Sequence, residues 1–203
     1  MAVSNSIQMR REWAMPSADT FDVPVIAAFV KKYLHAASVS IDPFARNKRW
    51  ATYTNDLNPE TAAEYHLEAL EFLEVLIARA VRADLIIFDP PYSLEQCARS
   101  YKSVGRAVTE RDTQIFGRWT DHRHAMSKLL SDDGWVLTFG WNSQGMGRKH
   151  GFMLEEMLVV CHGSAHNDTI CIAERRVQVR LGYERSEISG QGPKRPTPEV
   201  VQV

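Results

Sequence analysis

Cysteine is scarce: the 203 residues hold three (Cys97, Cys161, Cys171), an odd number with no Cys-x-x-Cys pair. That argues against a disulfide framework and for a reducing, cytoplasmic setting. No run approaches the ~18 consecutive apolar residues of a membrane span, so no membrane association is expected. The opening stretch MAVSNSIQMRREW has no apolar core of the signal-peptide kind. An excess of one charge is lacking too. Twenty-four Lys plus Arg against 25 Asp plus Glu give a net charge of −1, so nucleic-acid binding through bulk charge is excluded. Any such binding has to come from a local patch.

What is present is an ordinary globular composition, 44% apolar and 24% charged, in a length that suits one domain, taken here as residues 1–185. Residues 186–203, SEISGQGPKRPTPEVVQV, carry three prolines and two glycines and read as a disordered tail. Between them, strand-like runs alternate with helical patterns, the mark of an α/β domain with a largely parallel sheet. Helical spacing covers 23–35 and 67–81 and parts of 95–130. Short strands are expected at 39–41 and 51–54, each closed by an Asp-Pro or Asn-Asp turn. Leu85-Ile86-Ile87-Phe88 is a continuous apolar run, as a buried central strand requires. A strand at 135–139 follows an Asp-Asp-Gly turn, and 157–161 with 169–173 suggest a terminal hairpin.

Directly after the central strand stands Asp89-Pro90-Pro91-Tyr92. In an open parallel sheet ligands bind beyond the carboxyl ends of the strands, so the motif lies where a site belongs. Here the chain resembles the S-adenosylmethionine-dependent amino-methyltransferases, specifically the DNA adenine-N6 group with a DPPY signature, in its small phage-type form. The resemblance runs over roughly residues 13–176. It is carried in order by Asp42-Pro43-Phe44, Asn55-Asp56-Leu57-Asn58, Glu68-Ala69-Leu70, the DPPY and Thr138-Phe139-Gly140. Ahead of these, Met15-Pro16, Thr20-Phe21 and Pro24 look like the family's N-terminal cofactor segment. The resemblance implies a Rossmann-like methyltransferase fold: a seven-stranded mixed sheet, helices on both faces, the last strand antiparallel.

It also implies roles. The exocyclic amine of adenine is a poor nucleophile because its lone pair is delocalised into the ring. If Asp89 and the Pro90 carbonyl each accept one N6–H, the nitrogen can pyramidalise and aim its lone pair at the methyl group. Pro90 and Pro91 lack N–H groups and have a fixed φ, which holds that carbonyl in place. Tyr92 would stack on a base flipped out of the duplex. By the same analogy Asp42, ending the first strand, faces the methionine end of S-adenosylmethionine. Asp56, ending the second, accepts ribose hydroxyls, and Glu68, after a third, contacts the cofactor's adenine. Met15, Pro16, Thr20, Phe21, Pro43, Phe44, Leu57 and Ala69 complete the cofactor set, with Asp89 shared. RNA adenine-N6 and cytosine-N4 transfer are alternative activities, and a catalytically dead fold that only binds is an alternative class.

The chain departs from the family in one turn. Glycine usually follows Asp-Pro-Phe; here Ala45-Arg46-Asn47-Lys48 does, and Arg46 is expected to protrude near the site. Nucleic-acid contact, DNA with RNA as the alternative, is expected in 93–119. There Arg99, Lys102, Arg106, Arg111 and Arg118 interleave with Tyr101, Phe116 and Trp119, although a solvated amphipathic helix would look the same. Arg148 and Lys149 form a second patch after a glycine-rich loop. The 93–119 insert can read few base edges, so relaxed specificity is expected unless a homodimer or partner adds contacts. Around His162, the loop 161–168 matches no familiar metal spacing, so no metal is expected, and its His or Asn side chains are expected to border the base pocket.

Overall fold

A computed structural model describes residues 6–109, 119–163 and 165–177. Its centre is a strand that alternates between two cores. In β4 (Ala83–Phe88) Leu85 and Ile87 point to one face and Ile86 and Phe88 to the other, all nearly inaccessible to solvent. This is why the run is apolar without alternation. Helix α1 (Pro24–Leu34) covers the first face with Ile26, Phe29 and Val30, at the i, i+3, i+4 spacing of one helical stripe. Proline at its first turn costs no hydrogen bond there. Helix α2 (Ala69–Ala78) and the helix Thr120–Leu129, numbered α4, cover the second face with Phe72, Leu73, Leu76, Ala125, Met126 and Leu129. Between them in sequence lies α3 (Leu94–Ser103), capped by the Ser93 side chain.

The remaining strands are β1 (Gln8–Trp13), β2 (Ser40–Asp42), β3 (Tyr53–Thr54), β5 (Leu130–Gly140), β6 (Phe152–Cys161) and β7 (Thr169–Arg176). The sheet order is β1-β6-β7-β5-β4-β2-β3, with β7 antiparallel to both neighbours and every other pair parallel. The fold is therefore a Rossmann-like α/β sheet of seven strands with helices on both faces, as expected.

Three details differ from expectation. The strand placed before Glu68 is reduced to one bridge, Asn55 to Tyr65. The Asn55 amide does the work of a ladder instead: it donates to the carbonyls of Pro43 and Leu67 (3.0 Å each) and accepts from the Leu67 N–H (2.9 Å). The seventh strand is β1, whose six residues are all exposed and so carry no core pattern to read. Further, β5 does not begin after the Asp132-Asp133-Gly134 segment but runs through it, with a register irregularity opposite Ala83 and Leu85. Among the described residues no helix is long and apolar enough to cross a membrane.

Strand β1 is tied down by one buried carboxylate. Glu156 of β6, 3% exposed, takes Arg10 of β1 (3.2 Å) and Lys32 (2.6 Å) and the Tyr33 hydroxyl (2.7 Å) of α1. These partners hold its pKa below the usual glutamate value against the opposing effect of burial. A depressed folded pKa contributes stability above the unfolded value that is lost as pH falls through the folded one. We expect Glu156→Ala to cost about 2 kcal/mol in urea unfolding at pH 7, both cations being half exposed, with the deficit shrinking toward pH 4. An unchanged midpoint would show that β1 and α1 dock without this carboxylate.

Candidate active site

Strand β2 is followed by β3 on one side and flanked by β4 on the other, so the chain reverses its direction of progress across the sheet between β2 and β4. Such a switch point opens a crevice at the carboxyl ends of the strands. Asp42 ends β2, and Asp89 directly follows β4. Asp42 is 1% exposed and accepts the Phe44 N–H at 3.0 Å. Burial drives its pKa well above the usual carboxylate range, and Asp89, Asp56 and Asp19 push the same way.

The DPPY turn is locked from several sides. The Tyr92 hydroxyl donates to Asp89 and lies 3.3 Å from the Thr20 hydroxyl. The Tyr92 N–H donates to Gln96 Oε1 (2.6 Å) in the first turn of α3. Burial raises the Asp89 pKa to about 6; the bonds from Tyr92 and Thr20 and the charge of Arg46 oppose the shift, and Asp19 adds to it. A carboxylate offers about four acceptor sites, so a phenol on one oxygen leaves capacity for an amine.

Beside this turn is an open cleft with a volume of about 80 Å³, lined by Pro90, Pro91, Tyr92, Trp119, Arg123, Thr138, Trp141 and Asn142 among others. Trp141 is 41% exposed and meets the Tyr92 ring edge-on at 5.8 Å. Among the described residues the buried Thr138 hydroxyl in the cleft wall has no hydrogen-bond partner. The loop on the far wall hangs from Glu174 of β7, whose carboxylate accepts the N–H groups of Met146 (2.5 Å) and Gly147 (2.9 Å). Arg123 also lines the cleft, and burial lowers its pKa while Glu174 opposes. Sequence reasoning missed Glu174 and Arg123; a glutamate amid the apolar TICIAE strand was the available signal for the first.

On the other side of Asp89, the glycine-free turn adopts a glycine-like conformation: Arg46 has φ +50°. For an L residue this costs roughly 1 kcal/mol. The Arg46 N–H donates to Asp56 Oδ2 (3.2 Å), and its guanidinium donates to the Ala18 carbonyl (2.7 Å). It thus bridges the N-terminal segment and the strand ends. Asp56 Oδ1 accepts the Asn58 N–H at 2.8 Å, so both its oxygens brace the turn. Pro43 is buried, Phe44 stands edge-on to Phe88 at 5.5 Å, and Leu57 is half-buried. Met15 is 67% exposed and Pro16 half-buried.

Some expected site residues are placed elsewhere. Phe21 is a core residue, 4% exposed, packed on Trp50 and Phe139 in the core on the α1 side of the sheet. Ala69 is buried in the first turn of α2. Glu68 is held by an ion pair with Arg106, which also lies over the Tyr101 ring at 4.4 Å. Thus a residue expected on nucleic acid and one expected on cofactor hold each other. His162 does not border the cleft. Its ring bonds the Ala14 carbonyl (2.8 Å) and the Thr169 hydroxyl (2.9 Å), which pins the hairpin to the N-terminal segment.

Arg99 and Lys102 are exposed on α3, and Arg148 and Lys149 on the short helical turn after the cleft loop. Arg111, Phe116, Arg118 and the tail 186–203 lie outside the described residues. Among the described residues no cluster of His, Cys, Asp and Glu is arranged to hold a metal ion.

Replacing Glu174 by Ala should release the cleft loop, because a buried N–H and a part-buried one lose their acceptor, at about 1–3 kcal/mol. Gly145→Ala should do likewise, since its Cβ would collide with the same carboxylate. Hydrogen exchange at the Met146 and Gly147 amides reads the effect; retained protection in both variants would disprove the anchor.

No protein-family model and no curated protein matches the chain. Solved structures similar to it include TrmN from Thermus thermophilus, at 16% identity and TM-score 0.46, covering 76% of this chain and 49% of that one. NSun6 from Pyrococcus horikoshii with SFG is 13% identical with TM-score 0.47, covering 72% and 50%. The N-methyltransferase NodS from Bradyrhizobium japonicum WM9 is 10% identical with TM-score 0.40, covering 75% and 94%. The chain spans about half the length of the first two.

Proposed function

We propose that this protein transfers a methyl group from S-adenosylmethionine to the N6 amine of adenine in DNA. One observation carries the reading: Asp89-Pro90-Pro91-Tyr92 sits at the switch point, between the crevice headed by Asp42 and the cleft walled by Tyr92 and Trp141. Two compartments meet at one carboxylate, as a two-substrate transfer requires.

The donor set suits the cofactor's chemistry. Asp19, Asp56 and Asp89 act electrostatically on Asp42, and Asp19 and Arg46 act on Asp89. Carboxylates favour a sulfonium and an ammonium, and a guanidinium favours a carboxylate. Asp42, Asp56 and the Met15–Thr20 segment would hold the cofactor, which supplies an electrophilic methyl group when bound. Glu68 can join only when its ion pair with Arg106 opens.

Asp89 and the Pro90 carbonyl then orient the amine by accepting its two protons. Pro91 cannot compete for that carbonyl's neighbourhood because it has no N–H. Tyr92 and Trp141 offer aromatic walls to a flipped base, and Arg99 and Lys102 offer phosphate contacts. The direct test is tritium transfer from labelled cofactor to DNA and to RNA, followed by nucleoside analysis. Label in N6-methyladenine of DNA is expected; label only in RNA, only in cytosine, or in neither polymer overturns the assignment.

Asp89→Ala should lower turnover at least ~10²-fold with little change in cofactor affinity, since the side chain addresses the amine. In the unaltered protein the ionised carboxylate is the better acceptor and predominates above its pKa of about 6. The rate should therefore fall about tenfold per pH unit below that value. A folded pKa raised by burial also means that ionised Asp89 destabilises the fold at pH 7. Asp89→Asn should unfold later than the parent while remaining slow; a lower melting temperature would contradict the burial argument.

A further inference from the structure

Strand β1 forms one edge of the sheet, and all six of its residues are exposed. Of the large apolar side chains that are exposed among the described residues, Ile7 (52%), Met9 (69%), Trp13 (65%) and Met15 (67%) all belong to one nine-residue stretch at the sheet edge. An exposed edge strand that carries apolar side chains is a template for another strand.

The backbone direction is fixed by one bond. The Ala14 N–H donates to the Cys161 carbonyl of β6 at 3.1 Å. Groups alternate along a strand, so the even-numbered residues of β1 bond to β6, and the N–H and C=O of Met9, Arg11 and Trp13 point outward. Their side chains share one face. Arg10, on the other face, reaches Glu156 and the α1 side. The odd face continues onto β6 through the half-buried Met157, in register with Met9, and Val159, in register with Arg11.

Antiparallel pairing of two identical strands must set outward residues opposite outward residues. Three centres near the middle satisfy this. A twofold axis at Arg10 faces Arg10 with itself and Met9 with Arg11. An axis at Glu12 faces Glu12 with itself and Arg11 with Trp13. An axis at Arg11 pairs Met9 with Trp13 twice and Arg10 with Glu12 twice, leaving one like pair, Arg11 with Arg11. The Arg11 guanidinium is already turned aside, its Nε donating to Cys161 Sγ at 2.9 Å. Charge and apolar complementarity both select this register.

We propose that two copies of this chain associate through β1, antiparallel about Arg11, extending the two sheets into one. The pairing adds about six main-chain hydrogen bonds across the axis. It covers the Met9 and Trp13 side chains of both copies.

Sedimentation of the full chain tests the association, and two substitutions test the register. Arg11→Pro deletes an outward N–H without touching the bonds to β6, so a folded monomer is expected. Arg11→Cys places a thiol on the axis. Its Cα lies about 5.5 Å from its mate in a hydrogen-bonded antiparallel pair, within disulfide range. The native cysteines are buried, so oxidation should give a covalent dimer from Arg11→Cys and much less from Glu12→Cys. A dimer in the parent, a monomer in Arg11→Pro with unchanged circular dichroism, and selective cross-linking at position 11 support the proposal. A parent that is monomeric at about 100 μM, a dimer unaffected by Arg11→Pro, or equal cross-linking at 11 and 12 overturns it.

Discussion

Everything in this molecule depends on two neighbouring parallel strands whose chains leave in opposite directions. Because β2 and β4 pair directly, Ser40 with Leu85 and Ile41 with Ile86, their carboxyl ends open side by side. The loops that follow must diverge, and the gap between them is the crevice headed by Asp42. The price of that geometry is a crowd of carboxylates. On top of burial, Asp89 raises the proton affinity of Asp42 and Asp19 that of Asp89, and Arg46 is the cation that opposes the rise at Asp89. An arginine in a left-handed slot is a poor choice for backbone ease, but it brings positive charge where glycine brings none.

That crowding also explains the division of labour among the hydroxyls. Tyr92 and Thr20 donate toward Asp89 and hold it charged against desolvation, so the acid that would bind an amine is kept ready by its own turn. Gln96 and Ser93 stop the first turn of α3 from pulling that arrangement apart. Across the cleft, Glu174 plays the corresponding part for the loop from Trp141 to Gly147. Each wall is fixed by a side chain from a regular element, and the loops themselves carry little of the burden.

Much of this could be read in advance where residues obey a period or a chain rule. Leu85-Ile86-Ile87-Phe88 announced a strand buried on both faces, and the chain rule put Asp89 at its carboxyl end. The α1 stripe was visible for the same reason. What escaped was whatever depends on partners distant in sequence. Strand β1 has no buried residue, so hydrophobic pattern says nothing of it; its order comes from Glu156, more than a hundred residues away. The third strand was expected where the Asn55 side chain replaces a ladder. Glu68 and Arg106 carried separate expectations, and only their pairing shows that two sites share an ion pair.

The shape of the chain sets a limit on how it could read a target. If the sheets join at β1 about a twofold axis, the strands of one copy run opposite to those of the other, so the carboxyl ends carrying Asp89 face opposite directions. Two such clefts cannot close on one short stretch of duplex. On the proposed function, recognition of nucleic acid would then rest within one chain, on α3, the helical turn at Arg148 and the loop between them and the cleft. Those surfaces offer cations and two aromatic rings, which grip phosphates and stack bases but discriminate few base edges. Dimerisation through β1 would therefore stabilise an exposed edge and leave the choice of target as relaxed as one chain can make it.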